Sequence, residues 1–235
     1  MRRTLLVVGV VVGLTSPAWA LCDGVTDDTL AIQAAVRART PLPEGTCVIS
    51  NTIEAWNDGS LIGAPGLRTH LQPTLAMIGY TGIWVHATNT RVDRPVVRDI
   101  VLNPLPAGGV GAVGLYLSGD EPEGVDLFTI EHVRVENSGH WFPHAFACYR
   151  VDSTRIRDTQ FWNYLPQTAA MGFYLCSDWD LFGNEAHTPA PGGNGIASFG
   201  SSTLRFWGGN IGLGAGGSAV LGPGVTLNGT TVYVE

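Results

Sequence analysis

The sequence predicts an all-β solenoid, a coiled stack of short strands behind a short N-terminal helix, and three observations carry that prediction. An apolar-x-x-apolar-x-apolar triad recurs as Val97, Ile100 and Leu102, as Ile130, Val133 and Val135, and as Ile156, Thr159 and Phe161. Looser copies begin at Leu181, at Leu204 with Trp207, and at Leu227 with Val232 and Val234, so the first members lie 33, 26, 25, 23 and 23 residues apart. A second inward column runs in parallel through Leu115 and Leu117, Phe146 and Cys148, Phe173 and Leu175, Ile196 and Ser198, and Ala219 and Leu221. Two columns with period-2 alternation give each coil at least two strands with one buried face. Composition agrees: charged residues make up 14%, against roughly 25% in ordinary soluble domains. The 31 glycines supply tight corners.

Residues 1–20 begin with Arg2 and Arg3, continue through an apolar run from Leu5 to Leu14, and end Ala18-Trp19-Ala20. This is the pattern of a secretory signal, predicting a mature chain from Leu21 and a secreted or periplasmic location. The run is short for a bilayer crossing, which takes about 20 apolar residues, so no membrane association is expected once the signal is removed. No linker divides residues 21–235, which are read as one β-helix domain.

Asp23 to Val36 reads DGVTDDTLAIQAAV. Thr26, Asp27 or Asp28 is expected to cap a helix over about 26–37 whose apolar face is Leu30, Ile32, Ala35 and Val36. Glu44-Gly45 then turn into a strand at Cys47-Val48-Ile49-Ser50, and coils fill about 47–235. This segment resembles the start of the pectate-lyase-like superfamily, including its tailspike-like and rhamnogalacturonase-like members, and Leu42-Pro43-Glu44-Gly45-Thr46-Cys47 is similar to that group's P-x-G-x-Y strand, with Cys in the aromatic's place. The resemblance implies a right-handed parallel β-helix closed by the capping helix. It covers about the first 30 mature residues and names no substrate.

The formal charge is −7, and loss of Arg2 and Arg3 takes it to −9, which repels phosphate backbones and argues against nucleic acid as a partner. All 13 basic residues are arginines, so chemistry that needs a lysine base or a lysine Schiff base is excluded. The four cysteines lack C-x-x-C spacing and suggest disulfides. Cys22 with Cys47 is the expected pair, pinning the start of the chain to the first strand after the helix. Whether Cys148 and Cys176 pair stays open, because Cys148 points inward and Cys176 falls one position out of phase.

Residues flanking the triads should face solvent, stacked about 5 Å apart from coil to coil. One such column is Asn103, Glu136, Trp162, His187 and Tyr233, and its neighbour is Val101, Arg134, Gln160 and Glu185. Trp stacks on a sugar ring while carboxylates and Arg address hydroxyls and uronates, so the surface reads either as a polysaccharide groove or as an ordinary solvated sheet. Hydrolysis would use Glu136 and Glu185, two coils or roughly 10 Å apart, a spacing that suits inversion. Asp158 is an alternative acid or a corner residue. β-Elimination would draw on Arg134, Arg157 or His187.

His140 and Trp141, in a loop insertion His140-Trp141-Phe142-Pro143-His144, offer either ligand contact or packing on the flank. No cofactor is expected from the residues. The resemblance alone brings calcium into view, and Asp178-Trp179-Asp180 is the one short acidic pattern that could serve it. The Gly-rich stretch 208–217 has no lysine and serves corners. The expected functions are a secreted lyase or glycoside hydrolase on a pectin-like or other acidic polysaccharide, or a non-catalytic tailspike-like or adhesive solenoid. The strand-like Thr231-Val232-Tyr233-Val234 beside Glu235 leaves an uncapped edge, for which a second subunit, another covering element or a shortened relative are the expectations.

Overall fold

The computed structural model describes residues 21–57, 59–87, 94–106, 111–119, 128–137, 141–151 and 153–234, with the backbone alone for Ala87, Gly111, Asn137 and 141–143. Residues 1–20, read as a secretory signal, therefore lie outside the described residues. The chain opens with β1 (Asp23–Asp27), α1 (Thr29–Ala38), β2 (Gly45–Ile49), β3 (Ile53–Trp56), β4 (Ser60–Ile62), β5 (Thr69–Pro73) and β6 (Ile83–Ala87). Four longer strands follow, β7 (Val96–Leu102), β8 (Gly111–Gly119), β9 (Thr129–Asn137) and β10 (Trp141–Tyr149). Shorter strands then come in threes: β11 (Arg155–Arg157), β12 (Gln160–Asn163) and β13 (Ala169–Tyr174); β14 (Ser177–Phe182), β15 (Glu185–Thr188) and β16 (Asn194–Phe199); β17 (Ser202–Trp207), β18 (Asn210–Leu213) and β19 (Val220–Leu221). The described chain closes with β20 (Val225–Asn228) and β21 (Thr231–Val234).

Each three-strand group is one coil, and every strand pairs in parallel with its counterpart in the next coil. The result is a right-handed parallel β-helix, the hand that parallel crossovers adopt. A first face holds β4, the N-terminal halves of β7 and β9, then β11, β14, β17 and β20. A second face holds β2, β5, the C-terminal halves of β7 and β9, then β12, β15, β18 and β21. The third face is the sheet from β3 to β19.

From β7 onward one left-handed residue makes the corner between the first and second faces, whereas between β4 and β5 the same joint is six residues long, 63–68. Asp99, His132, Asp158, Gly183, Gly208 and Gly229 have φ of 58°, 50°, 50°, 63°, 68° and 61°. Glycine takes this left-handed conformation freely and Asp and His tolerate it better than most residues, which explains the types found. A single left-handed residue swings the strand direction without leaving a loop.

Inside, the first-face column runs Leu61, Val97, Ile130, Ile156, Leu181, Phe206 and Leu227. Here the structure corrects the expected register: Phe206, not Leu204, stacks on Leu181, and Trp207 is 42% exposed. Leu204 instead stacks on Trp179. On the third face Met171 stacks on Phe146, so Phe173 stacks on Cys148. Leu175 is an exposed corner residue with φ 56°, and Val220, not Ala219, continues the column while Leu221 is exposed. The slips at Phe206 and Met171 are two residues and keep period-2 parity, whereas that at Val220 is one residue and turns the expected inward Leu221 outward. Val232 and Val234 on β21 are exposed. The centre is an aromatic knot: Phe146 lies 5.0 Å from Phe161, 5.6 Å from Phe173 and 5.9 Å from Trp179, centroid to centroid.

At the N-terminal end, Ile32 and Val36 of α1 are buried as expected, but Leu30 is 86% exposed and points away from the solenoid. Residues Asp23–Asp27 form a strand beside β2 rather than the helix start. Asp28 occupies the cap position without a side-chain cap bond. Its Oδ2 accepts instead from the backbone N–H groups of Cys22 (3.1 Å) and Val48 (3.2 Å), and burial pushes its carboxyl above the usual carboxylate range. Asp27 takes the helix-start role, with Oδ1 accepting from Thr29 N at 3.0 Å. Cys22–Cys47 forms as expected, and Cys148–Cys176 forms too, joining residues 28 apart in successive coils. Such bonds persist in oxidising compartments, which fits an extracellular protein.

The first face carries an ionic ladder outside. Arg155, Asp180 and Arg205 are in register, and Arg205 Nε donates to Asp180 Oδ1 at 2.8 Å. That bond from Arg205, assisted by Trp207, holds Asp180 below its ordinary value of 3.8. A depressed carboxylate contributes stability above its unfolded pKa and loses it as pH falls through the folded one. Asp180→Asn is therefore expected to flatten the loss of thermal stability below about pH 3.8 relative to the parent, measured by melting temperature against pH.

Candidate functional site

The second face places both expected outward columns in register. Val101, Arg134, Gln160 and Glu185 follow one another across β7, β9, β12 and β15. Glu136, Trp162 and His187 form the neighbouring column, which continues through Gly212 to Tyr233. Above them Asn103 Nδ2 donates to Gln72 Oε1 at 2.9 Å, and His70 Nδ1 lies 3.3 Å from Asn103 Oδ1. From β5 to β21 the polar strip crosses seven strands, about 29 Å at the usual strand spacing.

Arg134 organises the centre. Its Nε donates to Gln160 Oε1 at 2.5 Å and one terminal nitrogen donates to Glu136 Oε1 at 3.2 Å. Arg134, Glu136, Trp162 and Tyr164 line a cleft of about 420 Å³. Tyr164, one alternation beyond Trp162 and 6.2 Å from it, was not among the expected residues. The continuing period-2 pattern Gln160, Trp162, Tyr164 was the signal that could have found it.

His187 departs from expectation in kind. It is 5% exposed, stacked on Trp162 with ring centroids 4.6 Å apart at 22°. Its Nε2 faces Glu185 Oε2 at 3.6 Å and its Nδ1 meets the Tyr233 hydroxyl at 3.1 Å. The hydroxyl spans a whole coil, because the residue in register between His187 and Tyr233 is Gly212, which has no side chain in the way. His187 is thus packed along the column between Trp162 and Tyr233, beside Glu185, and is nearly closed to solvent.

Other candidates are separated from this cleft. Asp158 lies at the corner, its Oδ2 3.7 Å from His132 Nε2, beside a different cleft of about 500 Å³ with Arg98, Asp99 and Glu131. Asp158 thus lines one cleft while Glu136 lines another, which corrects its assignment as the partner acid. Arg157 belongs to the first face, its guanidinium 5.4 Å over the Phe182 ring. Asp178 and Asp180 both engage Arg205, and Trp179 between them is buried with Nε1 donating to Val151 O at 2.8 Å. His140 and the side chain of Trp141 lie outside the described residues, whereas His144 sits within β10 rather than in a loop. It is buried with Nε2 2.6 Å from the Tyr174 hydroxyl, and burial lowers its imidazole pKa. Among the described residues the one grouping with ligand atoms close enough to share an ion is Cys22, Asp28 and Cys47, and its two sulfurs are joined to each other.

The register and the second-face strip together define a class: a right-handed parallel β-helix with a strip of aromatic, carboxylate and guanidinium side chains on one face and a cleft at Arg134, Glu136, Trp162 and Tyr164. No protein-family model and no curated protein matches the chain. Among solved structures it is similar to full-length tailspike protein 2 from Escherichia coli O157:H7 bacteriophage CAB120, at 16% identity over 82% of this chain, with a TM-score of 0.43. It is also similar to a mannuronan C-5 epimerase A-module from Azotobacter vinelandii, at 11% identity over 92% of this chain and 96% of that one, with a TM-score of 0.29. The chain spans about a third of the tailspike's length, 34%. At these scores the architecture rests on the strand register alone. No helix among the described residues is long and apolar enough to cross a membrane.

Proposed function

We propose that the second-face groove binds an extended acidic polysaccharide and that the protein is a secreted carbohydrate-active enzyme that cleaves it by hydrolysis. The observation that carries this reading is the convergence of Trp162, Arg134 and Glu136 on one cleft, with Glu185 two strands further along the same strip. Trp162 offers a flat apolar surface for a pyranose, and the guanidinium beside it suits a uronate. Glu136 and Glu185 lie two strands apart and two residues apart along the strand, roughly 12 Å between backbones at strand spacing and rise, so their side chains must lean together to reach the separation that admits a water between carboxylate and sugar. One would protonate the leaving oxygen while the other activates that water. A lyase reading is weaker on this geometry, since His187 is enclosed and Arg134 is held by Gln160 and Glu136. The initial resemblance to pectate-lyase-like proteins supports the ligand class without choosing the reaction.

A second reading, a non-catalytic glycan-binding solenoid, is favoured by one feature: Arg134 and Glu136 already hydrogen-bond each other. A panel of acidic and neutral polysaccharides tests both, reading new reducing ends for hydrolysis and unsaturated uronate absorbance for elimination. Hydrolysis of an acidic substrate supports the first reading, binding without either product supports the second, and absence of both removes the groove. Trp162→Ala is expected to weaken binding about tenfold, the size of a lost stacking contact, as measured by calorimetry.

A further inference from the structure

The third face carries a second aromatic surface at its N-terminal end, away from the groove. β3 is the last strand of that sheet, and its outer edge meets a side chain instead of another strand. Gln33 Nε2 donates to Glu54 O at 2.5 Å and Gln33 Oε1 accepts from Glu54 N at 2.9 Å. The helix thus clips the edge at one residue and leaves beside it an open cleft of about 510 Å³, with Arg37, Arg39, Glu54 and Trp56 in its walls.

The aromatic wall is fixed in place. Trp84 Nε1 and His86 Nδ1 both meet Ser118 Oγ at 2.8 Å. Trp56 packs against His86 at 4.6 Å and Trp84 at 5.7 Å between centroids, and its Nε1 donates to Glu54 Oε2 at 2.9 Å. Even so Trp56 stays 44% exposed. An indole held at its polar edge, open to solvent and bordering a cleft, is preorganised for stacking, so little side-chain entropy is lost when a ligand arrives. The other wall is basic in a chain whose formal charge is −7. Arg37 lies in the last helical turn, and Arg39 follows in a left-handed conformation with φ 54°. Their backbones are therefore set, and two planar guanidinium forks suit a carboxylate better than a neutral ligand.

We propose that this cleft is a second saccharide-binding site, separate from the groove, which takes an acidic sugar residue with its ring against Trp56 and its carboxylate toward Arg37 and Arg39. The choice of a sugar as the acid rests on the function proposed above, while the aromatic and basic walls stand on their own geometry.

Calorimetric titration of the full chain with hexagalacturonate, and with cellohexaose as the uncharged control, tests it. Two sites are expected for hexagalacturonate. Trp56→Ala and the double variant Arg37→Glu/Arg39→Glu should each weaken the same site about tenfold or more, while Trp162→Ala weakens only the other. Trp56→Phe should keep the fold by circular dichroism and most of the affinity. Wild-type binding in both Trp56→Ala and the arginine variant would overturn the second site and leave the groove standing. Loss in those variants with no effect of Trp162→Ala would keep the second site and remove the groove. Equal affinity for cellohexaose at the Trp56 site would overturn the acidic specificity, and no binding of either probe to the parent would overturn both.

Discussion

Glu136→Gln and Glu185→Gln are each expected to lower hydrolysis of an acidic polysaccharide by about 10²- to 10⁴-fold, the range over which a positioned acid or base acts. Glutamine keeps the volume of glutamate and a carbonyl oxygen, so Arg134 can still donate at position 136. Binding should therefore change by less than about threefold, and the loss should fall on kcat rather than on KM. On the proposed mechanism the two carboxylates act on one bond, so the double variant should be little slower than the slower single one. Initial rates of reducing-end release measure this. Single variants within about threefold of the parent rate on a cleaved substrate would remove both residues from the chemistry.

The largest effect on stability is expected at Trp179. It is fully buried, meets Phe173 edge-on at 5.2 Å and 89°, and donates its indole N–H to Val151 O. Trp179→Ala opens a cavity in the middle of the knot and leaves that carbonyl with the longer 3.3 Å bond from Ser177 N. A loss of about 3–5 kcal/mol follows from comparable aromatic truncations, or about 10 °C in melting temperature for a chain of this size. Trp179→Phe should recover most of the packing but not the hydrogen bond. Thermal melts with the disulfides intact would show it, and an Ala variant melting within about 2 °C of the parent would contradict the packing account.

The inward triads at Val97, Ile130 and Ile156 were legible because a buried strand face must alternate and a coil must repeat. Past Leu181 the same rule could not choose between Leu204 and Phe206, since both have the right parity. The corner would have chosen: from Asp158 to Gly183 to Gly208 the step is 25 each time, and only that step sets Phe206 on Leu181. The groove columns were legible as neighbours of the triads. The enclosure of His187 was not, because it depends on a contact between Tyr233 and His187 across Gly212, 46 residues apart in sequence. The Trp56 surface escaped notice for another reason. It lies in early coils where the triad pattern is absent, and the alternation of Glu54 with Trp56 and of Trp84 with His86 is too short to show a repeat.

The single-residue corner between the first and second faces also bears on where this molecule grows from β7 onward. Over six coils its length never changes, whereas other joints vary: two residues separate β13 from β14, and nine separate β8 from β9. Between β4 and β5 the same corner carries six residues, 63–68, and the rungs on either side still pair with Val97 and Ile100. From β7 onward, differences in length fall at the two remaining edges of the triangular cross-section. Variants of this scaffold are expected to remodel the walls of the groove from its third-face flank, while in those coils the junction along its other margin stays fixed like the spine of a book.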